Sequence, residues 1–171
     1  DLQRFDFVAR PGDYLLFFGR IHHDKGAREA IEIARACGRK LVIAGIIQDR
    51  EYYDRCIEPF LDNVTICYTG SVGPDKRNEL LGNAYALLHP IQFDEPFGLS
   101  VIEAMACGTP VIALNRGSMP ELIVNNTTGF LTTSIEQAID AVSHIQDIDR
   151  ARCRCHVEEN FTAGRMVKQY T

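Results

Sequence analysis

Short, unbroken apolar runs recur along this chain: Tyr14–Phe18 (YLLFF), Lys40–Ala44 (KLVIA), Val64–Tyr68 (VTICY), Tyr85–His89 (YALLH) and Pro110–Ala113 (PVIA), with a short sixth at Gly129–Leu131. They do not alternate apolar with polar residues, so each reads as a strand buried on both faces. Helical periods fill the gaps, at Lys25–Cys37, Glu51–Leu61, Pro74–Gly82, Leu99–Cys107 and Ile135–Ile145. Asp75 and Asp94 stand at start-like positions, and Gly38, Gly82 and Gly108 at helix ends. Strand and helix in alternation imply a parallel sheet covered on both faces. The expected fold class is therefore α/β, a doubly wound, Rossmann-like parallel sheet of about six strands.

The 171 residues suit one domain, at 46% hydrophobic and 24% charged. With 18 basic against 23 acidic residues and a net charge of −5, the chain lacks the basic footprint of a nucleic-acid binder. The longest apolar run, Leu41 to Ile47, is far short of a membrane span. Six cysteines form no C-x-x-C pair, and Cys153 and Cys155 have the wrong spacing for a zinc knuckle. They read as reduced apolar residues, which points to a cytoplasmic setting. Residues 1–12 end in Arg10-Pro11-Gly12 and read as a linker from an N-terminal domain outside this chain, with 13–171 as the domain itself. A further helical pattern starts at Ala163 and stops in mid-period.

Ligands of open parallel sheets bind beyond the carboxyl ends of the strands, where strand order reverses. The first strand runs into Gly19-Arg20-Ile21-His22-His23-Asp24-Lys25-Gly26 and the fourth into His89-Pro90-Ile91-Gln92-Phe93-Asp94-Glu95-Pro96-Phe97-Gly98. A basic pair, Arg20 and Lys25, thus faces an acidic pair, Glu95 and Glu103, across one crevice. Arg20 offers a planar fork of donors and Lys25 a point charge, a combination suited to a diphosphate. Gly98, Leu99 and Ser100 open a helix whose free amides attract anions. Glu103 lies one turn further on the same face and can grip a vicinal diol, while Glu95 can hold other hydroxyls. Phosphate plus two polyols describes a nucleotide sugar.

Each residue also has a plainer reading. Glu103 alone would complement a helix dipole, and Arg20 with Lys25 would be a solvated loop. His22 and His23 read as exposed loop residues, Glu121 as a capping acid, and His89 either touches ligand or packs. Neutralising Glu103 is expected to lower ligand affinity and leave stability almost unchanged. The chain has neither a P-loop nor a G-x-G-x-x-G after the first strand.

The run Glu95-Pro96-Phe97-Gly98-Leu99-Ser100-Val101-Ile102-Glu103 carries two glutamates eight positions apart. This E-x7-E block resembles that of the C-terminal, donor-binding domain of retaining glycosyltransferases of the GT-B fold, family 4 (glycosyl transferases group 1). Four weaker elements follow the family order: Gly19-Arg20 with Lys25-Gly26, Ala44-Gly45, Thr69-Gly70-Ser71-Val72, and Gly117-Ser118-Met119-Pro120-Glu121 before Thr128-Gly129-Phe130-Leu131. The resemblance covers residues 14–170. It implies that Arg20 and Lys25 neutralise the donor diphosphate, that Glu95 and Phe97–Ser100 hold the sugar and distal phosphate, and that Glu103 binds the ribose. Gly45–Ile47 and Thr69–Val72 would lie along the base of a UDP- or GDP-sugar. It further implies transfer with retention, by front-face departure and attack, with no metal and no cofactor beyond the substrate, and an acceptor bound by the absent N-terminal domain. Two departures bear on the sugar. Ser118 stands where the family has a second glycine, and His89-Pro90-Ile91 replaces the commoner Pro-Ser. Another GT-B enzyme, such as an epimerase or a phosphorylase, and a non-catalytic nucleotide-binding module remain alternatives.

Overall fold

The computed structural model describes residues 1–162, so the helical pattern expected from Ala163 lies outside the described residues. Six parallel strands form one sheet: β1 Leu15–Phe18, β2 Leu41–Ala44, β3 Ile66–Gly70, β4 Ala86–His89, β5 Val111–Leu114 and β6 Gly129–Thr132. Their order is β3-β2-β1-β4-β5-β6, so the winding reverses between β1 and β4. The β1–β2 ladder registers four residues, Leu15 to Phe18 against Leu41 to Ala44. Across the reversal only Leu15↔Ala86 and Leu16↔Leu87 are in register.

The apolar runs are continuous because successive residues enter opposite layers. Leu16, Val42, Leu87, Val111 and Ala113 join one buried cluster; Leu15, Phe17, Leu41, Ile43, Ala86, Leu88 and Ile112 join the other. Helices α1 (Ala27–Ala36) and α6 (Ile135–Val142) cover the second layer. The first is covered by α3 (Pro74–Asn83), α4 (Leu99–Ala106), the short α5 (Met119–Leu122) and α7 (Arg150–Asn160). Among the described residues no helix is long and apolar enough to cross a membrane.

Several local expectations are corrected. The third strand begins two residues late. The Asp62 carboxylate accepts the amides of Val64, Thr65 and Ile66, and this turn leaves Val64 exposed. The expected helix over 51–61 becomes three unlike turns, α2 Arg50–Tyr52, a π turn Tyr53–Ile57 and a 3-10 turn Glu58–Phe60. Pro59 has no amide to donate, so one continuous α-helix cannot run through it. The first helix starts at Ala27, because Gly26 adopts a left-handed conformation and leaves Lys25 in a separate 3-10 turn. Gly82 lies inside α3, where a Cβ would meet Val8 Cγ2 at 2.7 Å. Asp94 starts no helix; it pairs with Arg116, and Gly98 occupies the N-cap of α4.

Residues 1–12 lie across the α3–α4–α7 layer. The Val8 amide donates to Cys107 O and that of Gly12 to Asn83 O. Arg150, buried at the start of α7, donates to Val8 O, Ala84 O, Gly82 O and Thr109 Oγ1. This helix had no counterpart in the sequence reading, since its apolar residues follow no helical period.

Candidate functional site

The loops after β1 and β4 enclose a cavity of about 300 Å³ at the reversal of the sheet. Phe17, Phe18, Gly19, Arg20 and Lys25 line it from one side, and His89, Glu95 and Phe97 to Ser100 from the other. Main-chain contact fixes the two loops together. The Gln92 amide donates to Asp24 O at 2.7 Å, and a Cβ on Gly26 would fall 2.0 Å from Pro90 O. Only glycine allows that approach at a φ of 83°.

Lys25 and Glu95 meet directly, Nζ to Oε2 at 2.7 Å, with side chains 15% and 13% exposed. The ammonium also lies 4.8 Å from the centre of the Phe93 ring. The contact holds the Lys25 side chain against the cavity wall. A third contact fixes Glu95 from behind, where its carbonyl accepts the Ser118 amide at 2.8 Å. Gly117 permits this, since a Cβ there would sit 2.5 Å from Glu95 N and O. Arg20, exposed at the rim, donates to Gln48 in the loop after β2.

Gly98 enters α4 with a φ of 64° and contributes no side-chain cap. The first amides of the helix therefore remain for a ligand, at the positive end of its dipole. His89 at the end of β4 is 6% exposed, and burial pushes its pKa down to about 4. The ring is therefore neutral at pH 7.

Glu103 does not line this cavity. Its carboxylate pairs with Arg77 of α3, and it borders a neighbouring 350 Å³ cavity together with Leu99, Ile102 and Phe5. Leu99 borders both cavities. Sequence reasoning missed Arg77, because its partner lies 26 positions away on another helix and no local spacing joins the two. Gly45, Thr69, Gly70, Ser71 and Val72 stand at the carboxyl ends of β2 and β3, outside the 300 Å³ cavity. Gly45, at φ 147°, brings its backbone against Gly19 O, where a Cβ would lie at 1.8 Å. This packs the β2 loop against the β1 loop. Glu121 sits in the first turn of α5, near a helix start as expected, but the N-cap Ser118 makes no side-chain cap hydrogen bond and its amide donates to Glu95 O instead. His22, His23 and Asp49 bring three possible metal-ligand atoms within 4.8 Å of one another. His22 Nδ1 already bonds Asp24, and Asp49 already caps the amide of Tyr52.

Known proteins share sequence and fold with this chain. Glycogen synthase of Mycobacterium tuberculosis (strain ATCC 25618 / H37Rv) is 33% identical over 142 residues, which is 75% of this chain and 33% of that protein. The crystal structure of AviGT4, a glycosyltransferase involved in avilamycin A biosynthesis, matches with a TM-score of 0.76 at 31% identity, covering 99% of this chain and 55% of that one. Anabaena HepE in complex with UDP-glucose matches with a TM-score of 0.80 over 92% of this chain and 47% of its own; at 18% identity this likeness bears on the fold alone. The chain spans well under half the length of the curated relatives it matches. Residues 3–155 match the family described as glycosyl transferases group 1. A match over most of the chain, on a doubly wound sheet with its crevice at the reversal, means that this chain belongs to the glycosyl transferases group 1 family, of the GT-B type.

Proposed function

We propose that this chain is the donor-binding half of a retaining, metal-independent glycosyltransferase that moves a sugar from a nucleotide diphosphate sugar to an acceptor. The observation that carries this reading is the convergence of Arg20, the Lys25–Glu95 pair and the uncapped start of α4 on one cavity. In the reaction, the bond between the anomeric carbon and the diphosphate oxygen breaks. Arg20, Lys25 and the α4 amides stabilise the negative charge that grows on the departing diphosphate, which is the part a metal plays elsewhere. Glu95 orients the sugar. The acceptor oxygen attacks from the face the diphosphate leaves and passes its proton to a phosphate oxygen. Glu103 turns from Arg77 to the ribose diol, and the loops at Gly45 and Thr69–Val72 lie along the base. The acceptor is held by an N-terminal domain, and the protein works in the cytoplasm.

A thermal-shift series with UDP, GDP, ADP and their sugar conjugates tests the reading, since a ligand of the native state raises its melting temperature. At least one conjugate is expected to stabilise the chain, in the presence of EDTA as well as magnesium. Stabilisation by none of them would reject the donor site. Stabilisation seen only with a divalent metal would reject the metal-free reading. The 171-residue chain alone is expected to bind donor without transferring sugar, which product analysis would check. An inverted anomer from the complete enzyme would reject retention.

A further inference from the structure

We propose that His89 reads the sugar of the donor, its Nε2 sharing a hydrogen bond with a hydroxyl of the sugar ring held in the cavity. This inference deepens the donor reading above and rests on it. His89 closes β4, and it lines the cavity together with Phe17 and Glu95. Nε2 is shut off from solvent and, among the described residues, has no hydrogen-bond partner. Protein interiors rarely leave such an atom unpaired, because its lost hydration is not repaid. The missing partner must come from the cavity that the ring faces.

The chemistry of that partner follows from the charge of the ring. Glu95 and Lys25 act on His89 with opposite sign, and burial outweighs both, so the imidazole is neutral. A phosphate gains little from a neutral ring, and the same cavity offers it Arg20, Lys25 and the amides of α4. A neutral imidazole has one donor and one acceptor, which complements an uncharged hydroxyl. Two parts of a nucleotide sugar present hydroxyls beside the diphosphate, the ribose and the hexose; the ribose is assigned above to Glu103, which lies outside this cavity, and the hexose is left for His89. A trapped water is the competing occupant, and it would not distinguish a sugar conjugate from a free diphosphate.

Calorimetry with UDP, UDP-glucose, GDP and GDP-mannose separates these cases. His89→Phe keeps a ring and removes both nitrogens; His89→Asn keeps a hydrogen-bonding group. Affinity for the free diphosphates is expected to stay within about twofold in both variants, while the sugar conjugate that the wild type binds loses about tenfold in His89→Phe and less in His89→Asn. Unchanged affinity for the conjugate, or equal losses for conjugate and diphosphate, would overturn the proposal. A wild-type chain that binds diphosphate and conjugate equally would overturn it too, because the sugar then makes no net contact. A wild type that binds none of the four overturns the donor reading itself, and the role of His89 falls with it. A melting curve precedes each titration. Should His89→Phe fail to fold, the ratio of conjugate to diphosphate affinity in His89→Asn decides, and an unchanged ratio rejects the assignment.

Discussion

Replacing Glu103 by glutamine probes two contacts of one carboxylate, the ion pair with Arg77 and the proposed grip on ribose. Arg77 and Glu103 are 36% and 17% exposed, so the pair is neither on the surface nor sealed. Two unit charges in contact attract by about 4 kcal/mol at an effective dielectric near 20. Desolvation and side-chain ordering cancel much of this. Stranding one member of a fully buried pair costs about 3–5 kcal/mol, and exposed pairs contribute about 0–1 kcal/mol. Water reaches about a third of Arg77, which places the expected loss between those limits, at about 1–2 kcal/mol for Glu103→Gln or Arg77→Gln. For a chain of this size that is roughly 2–8 °C in melting temperature. The double variant should lose about 1 kcal/mol less than the sum of the two. This reverses the expectation from sequence that Glu103→Gln would leave stability almost unchanged, because the carboxylate is paired with Arg77. In calorimetry, Glu103→Gln should also lose about tenfold or more in affinity for UDP, and the wild type should disfavour 2′-deoxy-UDP by a similar factor. Additive losses in the double variant would remove the ion pair from the account. Equal treatment of ribo- and deoxyribonucleotides by wild type and variant would leave Glu103 as a dipole-complementing acid worth about 0.3–1 kcal/mol.

His89 should give the fold an acid limb. Its pKa lies at about 4 in the folded chain against an ordinary 6.5, so the unfolded chain takes up the proton first. Stability is then complete above pH 6.5, falls as pH drops through the window toward about 4, and levels off below it. At about 1.4 kcal/mol per unit the loss approaches roughly 3 kcal/mol, and urea midpoints at pH 7, 5.5 and 4.5 should show it in the wild type but not in His89→Phe. Parallel curves would refute it. Arg20→Ala should weaken diphosphate binding by about 1.5–3 kcal/mol while nucleoside affinity and melting temperature hold, and calorimetry showing unchanged UDP affinity would sink its role. Lys25→Ala should lose the same affinity and also stability, because Glu95 is left shielded without its counter-charge; an unaltered melting curve would contradict that pairing. Gly117→Ala should lower stability by about 1–3 kcal/mol and weaken donor binding, since its Cβ would force the Glu95 turn to move. A variant with wild-type melting and affinity would show that the turn yields at no cost.

The sheet was readable because its signal is local. A strand buried on both faces must be apolar throughout, and Leu15–Phe18, Leu41–Ala44 and Ala86–His89 are nearly so. The crevice was readable because the order of strands and helices dictates which loops share one end of the sheet. What escaped was set by single side chains acting across the chain. The Asp62 carboxylate converts a β-favouring Val64-Thr65 into a turn. Arg150 anchors a helix of no apolar period by hydrogen bonds to residues far away in sequence. Arg77 reaches Glu103 across 26 positions, and no spacing rule joins α3 to α4. The Lys25–Glu95 contact spans 70 positions; the sequence placed both residues at one crevice without showing that they touch.

The brevity of the β1–β4 ladder has a mechanical consequence. With two registered residues there and four along β1–β2, the sheet consists of two three-stranded leaves joined by a narrow seam. Beyond Leu16 and Leu87 no residues of β1 and β4 are in register, and Phe17, Phe18 and His89 at that end of the strands line the cavity. Across its mouth lie the Lys25–Glu95 bridge and the bond from Gln92 to Asp24, one electrostatic and one in the main chain. A molecule seated in the cavity touches residues of both leaves at once, so it acts as a rivet where the sheet has fewest registered pairs.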